Sequence, residues 1–212
     1  GSNRSTRTRC AVYERVVNVN IAVIDYGMGN LFSVEQALKR LGANVIVTSH
    51  AADFERVDGI VLPGVGAFPD AMARLAELDL IAPIQETTKP LLGICLGMQL
   101  LYEQSEEVRE TEGLGILKGR IEKFKNVSRI PHIGWNSVEY PNPGRLYQGI
   151  AENSYVYFVH SYYLKAQDSE IVVAKTQYGN TTIHASVEKD NVFACQFHPE
   201  KSGEKGMMIL RN

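Results

Sequence analysis

The chain has 212 residues, 44% of them hydrophobic and 22% charged, enough for one globular domain that buries roughly 70% of its unfolded-chain surface. Its 22 Lys and Arg against 24 Asp and Glu leave a formal charge of -2 with no long run of one sign, which argues against a nucleic-acid partner. No apolar run approaches the ~20 residues of a membrane-spanning helix, and three scattered cysteines, Cys10, Cys95 and Cys195, offer neither a disulfide framework nor zinc-ligand spacing; a cytoplasmic protein with no metal and no cofactor is expected.

In chain order, residues 1–18 read as a leader or expression-derived segment: Gly1-Ser2 opens it without Met, and Arg4, Arg7, Arg9 and Arg15 stand among Ser and Thr. The remainder, 19–212, reads as one α/β domain. Branched apolar runs at 21–24, 45–47, 60–62 and 91–94, bounded by Gly or Pro, predict buried parallel strands. Between the first two, Leu31, Val34, Leu38 and Leu41 form a stripe at helical spacing, with Asn30 as N-cap and Gly42 just past the end. Phe68, Ala71, Met72 and Leu75 predict a second helix. Alternating strand and helix implies right-handed crossovers and a mostly parallel central sheet flanked by helices in a three-layer domain.

After Gly113 the texture turns to strands, with one long β-like run at 155–164 and others at 171–176, 182–187 and 192–197. Gly179-Asn180 and Lys189-Asp190-Asn191 sit where tight reversals join neighbours, so additional antiparallel strands are expected in this half. A closing helix is expected at 206–212.

Three segments carry chemistry. Gly93-Ile94-Cys95-Leu96-Gly97 follows an apolar strand and precedes a helical run, the G-x-nucleophile-x-G elbow with Cys in place of Ser; small flanking residues permit the sharp turn that presents the side chain. A helix N-terminus there also favours an anionic sulfur. A buried, inert thiol is the commoner fate of a lone cysteine, and it is the reading for Cys10 and Cys195. His198-Pro199-Glu200 supplies a base at a strand end and a carboxylate to orient it, although a lone His-x-Glu is more often a solvated pair. Pro63-Gly64-Val65-Gly66 follows another strand, and the backbone N–H groups of Gly64 and Val65, with that of Leu96, are candidate oxyanion donors; an ordinary Gly-rich turn is the alternative. His50 reads as a loop residue, and His132, His160 and His184 as structural histidines.

With these segments, Asp25-Tyr26-Gly27-Met28-Gly29-Asn30, Pro63-Gly64-Val65-Gly66-Ala67-Phe68, Pro131-His132-Ile133-Gly134-Trp135-Asn136 and Phe197-His198-Pro199-Glu200-Lys201-Ser202 resemble the glutaminase subunits of imidazole glycerol phosphate synthase, a branch of the triad glutamine amidotransferases. The resemblance runs from about residue 19 to the end. It implies a Cys95–His198–Glu200 triad that releases ammonia from L-glutamine for a (β/α)8-barrel cyclase partner in histidine biosynthesis. It further implies that Gly66, Gln99, Glu107, Ser161 and Tyr162 hold glutamine, Glu107 through the α-ammonium and the backbone near Ser161 and Tyr162 through the carboxylate. Trp135, Asn136, Tyr157 and Lys201 match the cyclase-facing surface; a core aromatic is the other reading of Trp135. A glutaminase for another synthase, such as one making pyridoxal phosphate, a catalytically idle binding module, and a cysteine peptidase remain as competing readings.

Overall fold

The computed structural model describes residues 18–212; the leader predicted at 1–18 and Cys10 lie outside the described residues, apart from Asn18. Among the described residues, five α-helices and thirteen strands follow in the order β1 (Asn20–Ile24), α1 (Leu31–Arg40), β2 (Asn44–Thr48), β3 (Gly59–Leu62), α2 (Phe68–Glu77), α3 (Ile81–Glu86), β4 (Leu91–Ile94), α4 (Leu96–Leu100), β5 (Tyr102–Ser105), β6 (Thr111–Glu112), β7 (Leu117–Lys123), β8 (His132–Ser137), β9 (Tyr155–His160), β10 (Tyr162–Ala166), β11 (Val172–Tyr178), β12 (Thr181–Lys189), β13 (Val192–Cys195) and α5 (Gly203–Arg211). The helix termini follow sequence chemistry. Asn30 accepts from the Ser33 N–H at 3.4 Å to cap α1, and Gly42 takes a φ of +92° past its end.

A seven-stranded sheet in the order β11-β12-β13-β4-β3-β1-β2 forms the frame. From β13 through β2 it is parallel, while β11 and β12 add antiparallel strands at one edge. Both faces are covered. Ala22, Ile24, Ile60 and Leu62 enter one apolar cluster with α2 and α3 residues, whereas Val23 and Val61 enter another with Val34 and Leu38 of α1. That two-sided burial explains why these strands read as unbroken apolar runs instead of alternating ones.

Two smaller sheets complete the domain, a four-stranded one in the order β10-β7-β5-β6 and the antiparallel pair β8-β9. They correct two expectations. The run at 155–164 is not one strand: it breaks at Ser161, with β9 pairing β8 and β10 pairing β7 in a different sheet. The break matters, since it turns the Ser161 and Tyr162 peptides toward the end of the large sheet. The run at 192–197 stops as a ladder at Cys195, because β13 must end before the polypeptide can carry His198 over the sheet edge. The closing helix begins at Gly203, three residues earlier than expected.

Candidate active site

β4 delivers Cys95 to its C-terminal end, where α/β sheets collect ligands. Cys95 adopts φ +55° and ψ -113°, a strained conformation for a side chain with a Cβ, of the kind a nucleophile elbow imposes. The flanking glycines are steric necessities. A Cβ on Gly97 would lie 1.8 Å from the Leu62 carbonyl oxygen, and one on Gly93 would lie 2.9 Å from the Gly97 oxygen. The Cys95 N–H is anchored on the Cys195 carbonyl at 2.7 Å, which locks the elbow to β13.

Beyond β13 the chain brings His198 over the same sheet end. Its Nδ1 lies 2.7 Å from Glu200 Oε1, and the two side chains are 3% and 1% exposed. With Nδ1 engaged, Nε2 is left toward Cys95; it is buried and has no partner at ordinary hydrogen-bond geometry among the described residues. Burial works against charging this imidazole, but its interactions with the Cys95 sulfur and with Glu200 outweigh it, and the pKa is pushed up to about 10. The short Glu200 contact is the firmer of the two supports, because the sulfur meets Nε2 too loosely to count as a formed bond.

β9 braces both groups. The His198 N–H donates to the Tyr157 carbonyl at 3.0 Å, the Tyr157 N–H to Ser202 Oγ at 3.0 Å, and Ser202 Oγ returns to the His198 carbonyl at 2.6 Å. Two positions on, the Val159 carbonyl lies 3.9 Å from Cys95 Sγ.

Around this pair lies a cavity of about 260 Å³ bounded by Val65, Gly66, Leu96, Gln99, Glu107, Ser161 and Tyr162 together with Cys95 and His198. Every residue expected to hold substrate is therefore within one cavity with the expected nucleophile and base. A larger apolar cavity of about 330 Å³ lies elsewhere, lined by residues such as Leu38, Leu92 and Phe193. It contains none of these groups. Gln99, 4% exposed, donates to the Tyr162 carbonyl at 3.2 Å and to Gln196 Oε1 at 3.0 Å. Glu107 Oε2 accepts from the Phe68 N–H at 2.9 Å, so it also serves the N-terminus of α2. Burial raises its pKa, the Phe68 bond opposes that, and Asp70 adds to it.

The candidate oxyanion donors are placed unequally. Tyr26 Oη donates to the Pro63 carbonyl at 2.6 Å and fixes the start of the Gly64 loop, while Val65 stands 43% exposed beside the cavity. The Leu96 N–H, however, donates to the Gly64 carbonyl at 3.3 Å. In this conformation it is already spent.

One residue escaped sequence reasoning. Gln196, fully buried, directs Nε2 to Cys95 Sγ at 3.8 Å and links it to Gln99. A polar residue in the apolar run 192–197 was the available signal, since a buried amide must find partners. Cys195 is buried with its thiol pushed up to about 12 by burial. His184 accepts from the Ala166 N–H at 3.3 Å. Among the described residues no cluster of His, Cys, Asp or Glu is arranged to hold a metal, and no helix is long and apolar enough to cross a membrane.

The expected partner residues divide between surface and interior. Trp135 is 51% exposed and lies 5.9 Å, ring to ring, from its cross-strand neighbour Tyr157. Ile133 and Tyr155, 54% and 60% exposed, extend the same apolar face. Lys201 is exposed on the turn after His198. Asn136 instead turns inward, to His132 and to the Gln177 carbonyl.

Residues 22–212 match the family model for glutamine amidotransferase class-I. The chain is 54% identical over 195 residues to the imidazole glycerol phosphate synthase subunit HisH of Bacillus cereus strain B4264, covering 91% of this chain and 92% of that protein. It is 52% identical over the same length and shares to the HisH subunit of Bacillus thuringiensis strain Al Hakam. Among solved structures, PurLQS from Thermotoga maritima aligns with a TM-score of 0.68 at 22% identity, over 91% of this chain and 95% of that one. A glutamine amidotransferase from the same organism aligns with 0.64 at 18% identity, over 88% and 78%. At those identities the structures speak to fold alone. The chain belongs to the class-I glutamine amidotransferases and, within them, to the HisH subunits of imidazole glycerol phosphate synthase.

Proposed function

We propose that this chain is the glutamine-hydrolysing subunit of imidazole glycerol phosphate synthase in histidine biosynthesis, with Cys95 as nucleophile, His198 as general base and acid, and Glu200 as the group that orients the histidine. The observation that carries the assignment is the 2.7 Å His198–Glu200 contact with Nε2 left toward Cys95 in a cavity that also holds Gln99 and Glu107. The Cys95 sulfur attacks the glutamine carboxamide, and His198 protonates the departing ammonia. Water activated by the same imidazole then hydrolyses the glutamyl thioester to glutamate.

Two features of the surroundings belong to this reading. The oxyanion formed at the carboxamide needs the N–H groups of Val65 and Leu96, so the Gly64 carbonyl must first leave the Leu96 N–H. The glutaminase is therefore slow until that loop turns. The exposed face of Trp135, Ile133 and Tyr157 is the docking surface for the cyclase subunit, read as a (β/α)8 barrel, with Lys201 at its rim. Ammonia released into neutral water becomes ammonium and loses its lone pair, so transfer across that face must be sheltered.

Cys95→Ala is the test. In the assembled synthase it should abolish glutamine-dependent synthesis and leave the ammonium-driven reaction intact; a persisting glutamine-dependent rate would end the assignment.

A further inference from the structure

The Cys95 sulfur lies between an acceptor and a donor. The Val159 carbonyl is 3.9 Å from it, and Gln196 Nε2 is 3.8 Å from it. A thiol can use both, giving its proton to the carbonyl and accepting from the amide. Once that proton has gone, the carbonyl dipole faces an anion, and of the two contacts only the amide remains favourable. The fold holds this amide firmly. Gln196 directly follows β13, whose register sets Cys195 beside Ile94 of β4; its backbone N–H donates to the Ala185 carbonyl at 2.8 Å, and the residue is fully buried.

Which end of the amide meets the sulfur follows from a fixed acceptor two contacts away. The Tyr162 carbonyl can only accept, so the amino group of Gln99 must face it, at 3.2 Å. The second N–H of that amino group meets Gln196 at 3.0 Å, a contact that needs the Gln196 oxygen. The Gln196 amino group is thereby left for the sulfur. Turned round, it would stand amino to amino against Gln99 with both side chains buried, leaving donors without acceptors. Gln99 in turn lies one helical turn past the nucleophile, its N–H donating to the Cys95 carbonyl at 3.3 Å, so the run from Tyr162 through two amides to the sulfur closes around the elbow.

We propose that Gln196 belongs to the catalytic machinery: it presents its amide N–H to the Cys95 sulfur and favours the anionic, attacking form, while Gln99, besides lining the cavity, orients it on the Tyr162 carbonyl. A hydrogen bond strengthens when its acceptor gains charge, so this donor offsets the Val159 carbonyl at the moment the sulfur is ionised. It serves a second time when water cleaves the thioester, as the carbon–sulfur bond breaks and the electron pair returns to sulfur. The role in turnover rests on the glutaminase reading of the cavity; the contact with the sulfur does not.

Alkylation of Cys95 by iodoacetamide, followed in the full chain by mass spectrometry across a range of pH, reads the sulfur without glutamine. The titratable groups around it, His198 backed by Glu200, Tyr26, and Glu107 and His160 at the cavity, are common to wild type and variants. Gln196→Met keeps the side-chain length and removes the donor. It should slow alkylation about tenfold at neutral pH, the lower scale of a hydrogen bond to a charged acceptor, with the difference closing as pH rises. Gln99→Met leaves Gln196 without the group that orients it, so it should slow alkylation in the same sense, and the double variant should be no slower than Gln196→Met alone. An unchanged profile in either single variant, a slowing equal at every pH, or additive losses would overturn the proposal; if Gln196→Met does not fold, the Gln99→Met profile decides it alone. In the assembled synthase Gln196→Met should lower glutamate release by a similar factor, and an undiminished rate would also overturn it. A wild-type synthase that releases no glutamate would sink the glutaminase reading instead, while the alkylation profiles would still decide the donor.

Discussion

Gly97→Ala probes the elbow at its tightest point. The added methyl would lie 1.8 Å from the Leu62 carbonyl oxygen, against ordinary contact beginning at 3.4 Å, so the start of α4 and the end of β3 must part by 3.4 minus 1.8, or 1.6 Å. Neither neighbour is a flexible side-chain end: one is strand backbone and the other follows Cys95. Overpacking of this kind costs about 1–3 kcal/mol or more. The same displacement moves the Leu96 N–H and the Cys95 sulfur relative to Gly64, and misplacement on the order of 1 Å can cost about 100-fold in rate. Urea unfolding should show the lower midpoint, and glutamate release by the assembled synthase the lower rate. A variant with wild-type stability and wild-type turnover would refute the steric account of the elbow.

Three further outcomes follow from the site. Glu107→Gln keeps an oxygen for the Phe68 N–H and loses only the charge. It should leave stability within about 0.5 kcal/mol while raising the glutamine KM roughly 10- to 150-fold, the worth of a charged hydrogen bond; steady-state kinetics beside thermal melts separate the substrate role from the helix-capping role. Because His198 is raised in the folded state, to about 10 from its ordinary value near ~6.5, its stabilising contribution is fully present below ~6.5 and fades as pH climbs through about 10. The difference in unfolding free energy between wild type and His198→Gln should shrink over that window, and a difference growing with pH would contradict the sign. Trp135→Ala should weaken binding of the cyclase subunit by about 2 kcal/mol or more in calorimetry, with little change in melting temperature, since half of the side chain is already in solvent.

The parallel core was legible in the sequence because burial on both sheet faces leaves unbroken apolar runs, as at Ile60, Val61 and Leu62. The Cys95 elbow was legible as well, since its conformation demands glycine at fixed offsets and leaves a local signature. Asn30 and Gly42 marked the ends of α1 for similarly local reasons. What local pattern could not carry was any contact between distant segments. The four-stranded sheet was invisible because β5 and β6 are short and paired by tertiary context, and the break at Ser161 was hidden inside a continuous β-like composition.

Residue types and their order thus determined the sheet, the elbow and the chemical repertoire of thiol, imidazole and carboxylate. Tertiary structure alone decided that Nε2 of His198 is left toward Cys95, that the Leu96 N–H is occupied by Gly64, that Gln196 joins the nucleophile, and that Asn136 turns inward while Trp135 faces solvent. The physical reason is separation along the chain: hydrogen-bond partners about 100 residues apart leave no periodic trace, and which of several donors reaches an acceptor is settled only by packing.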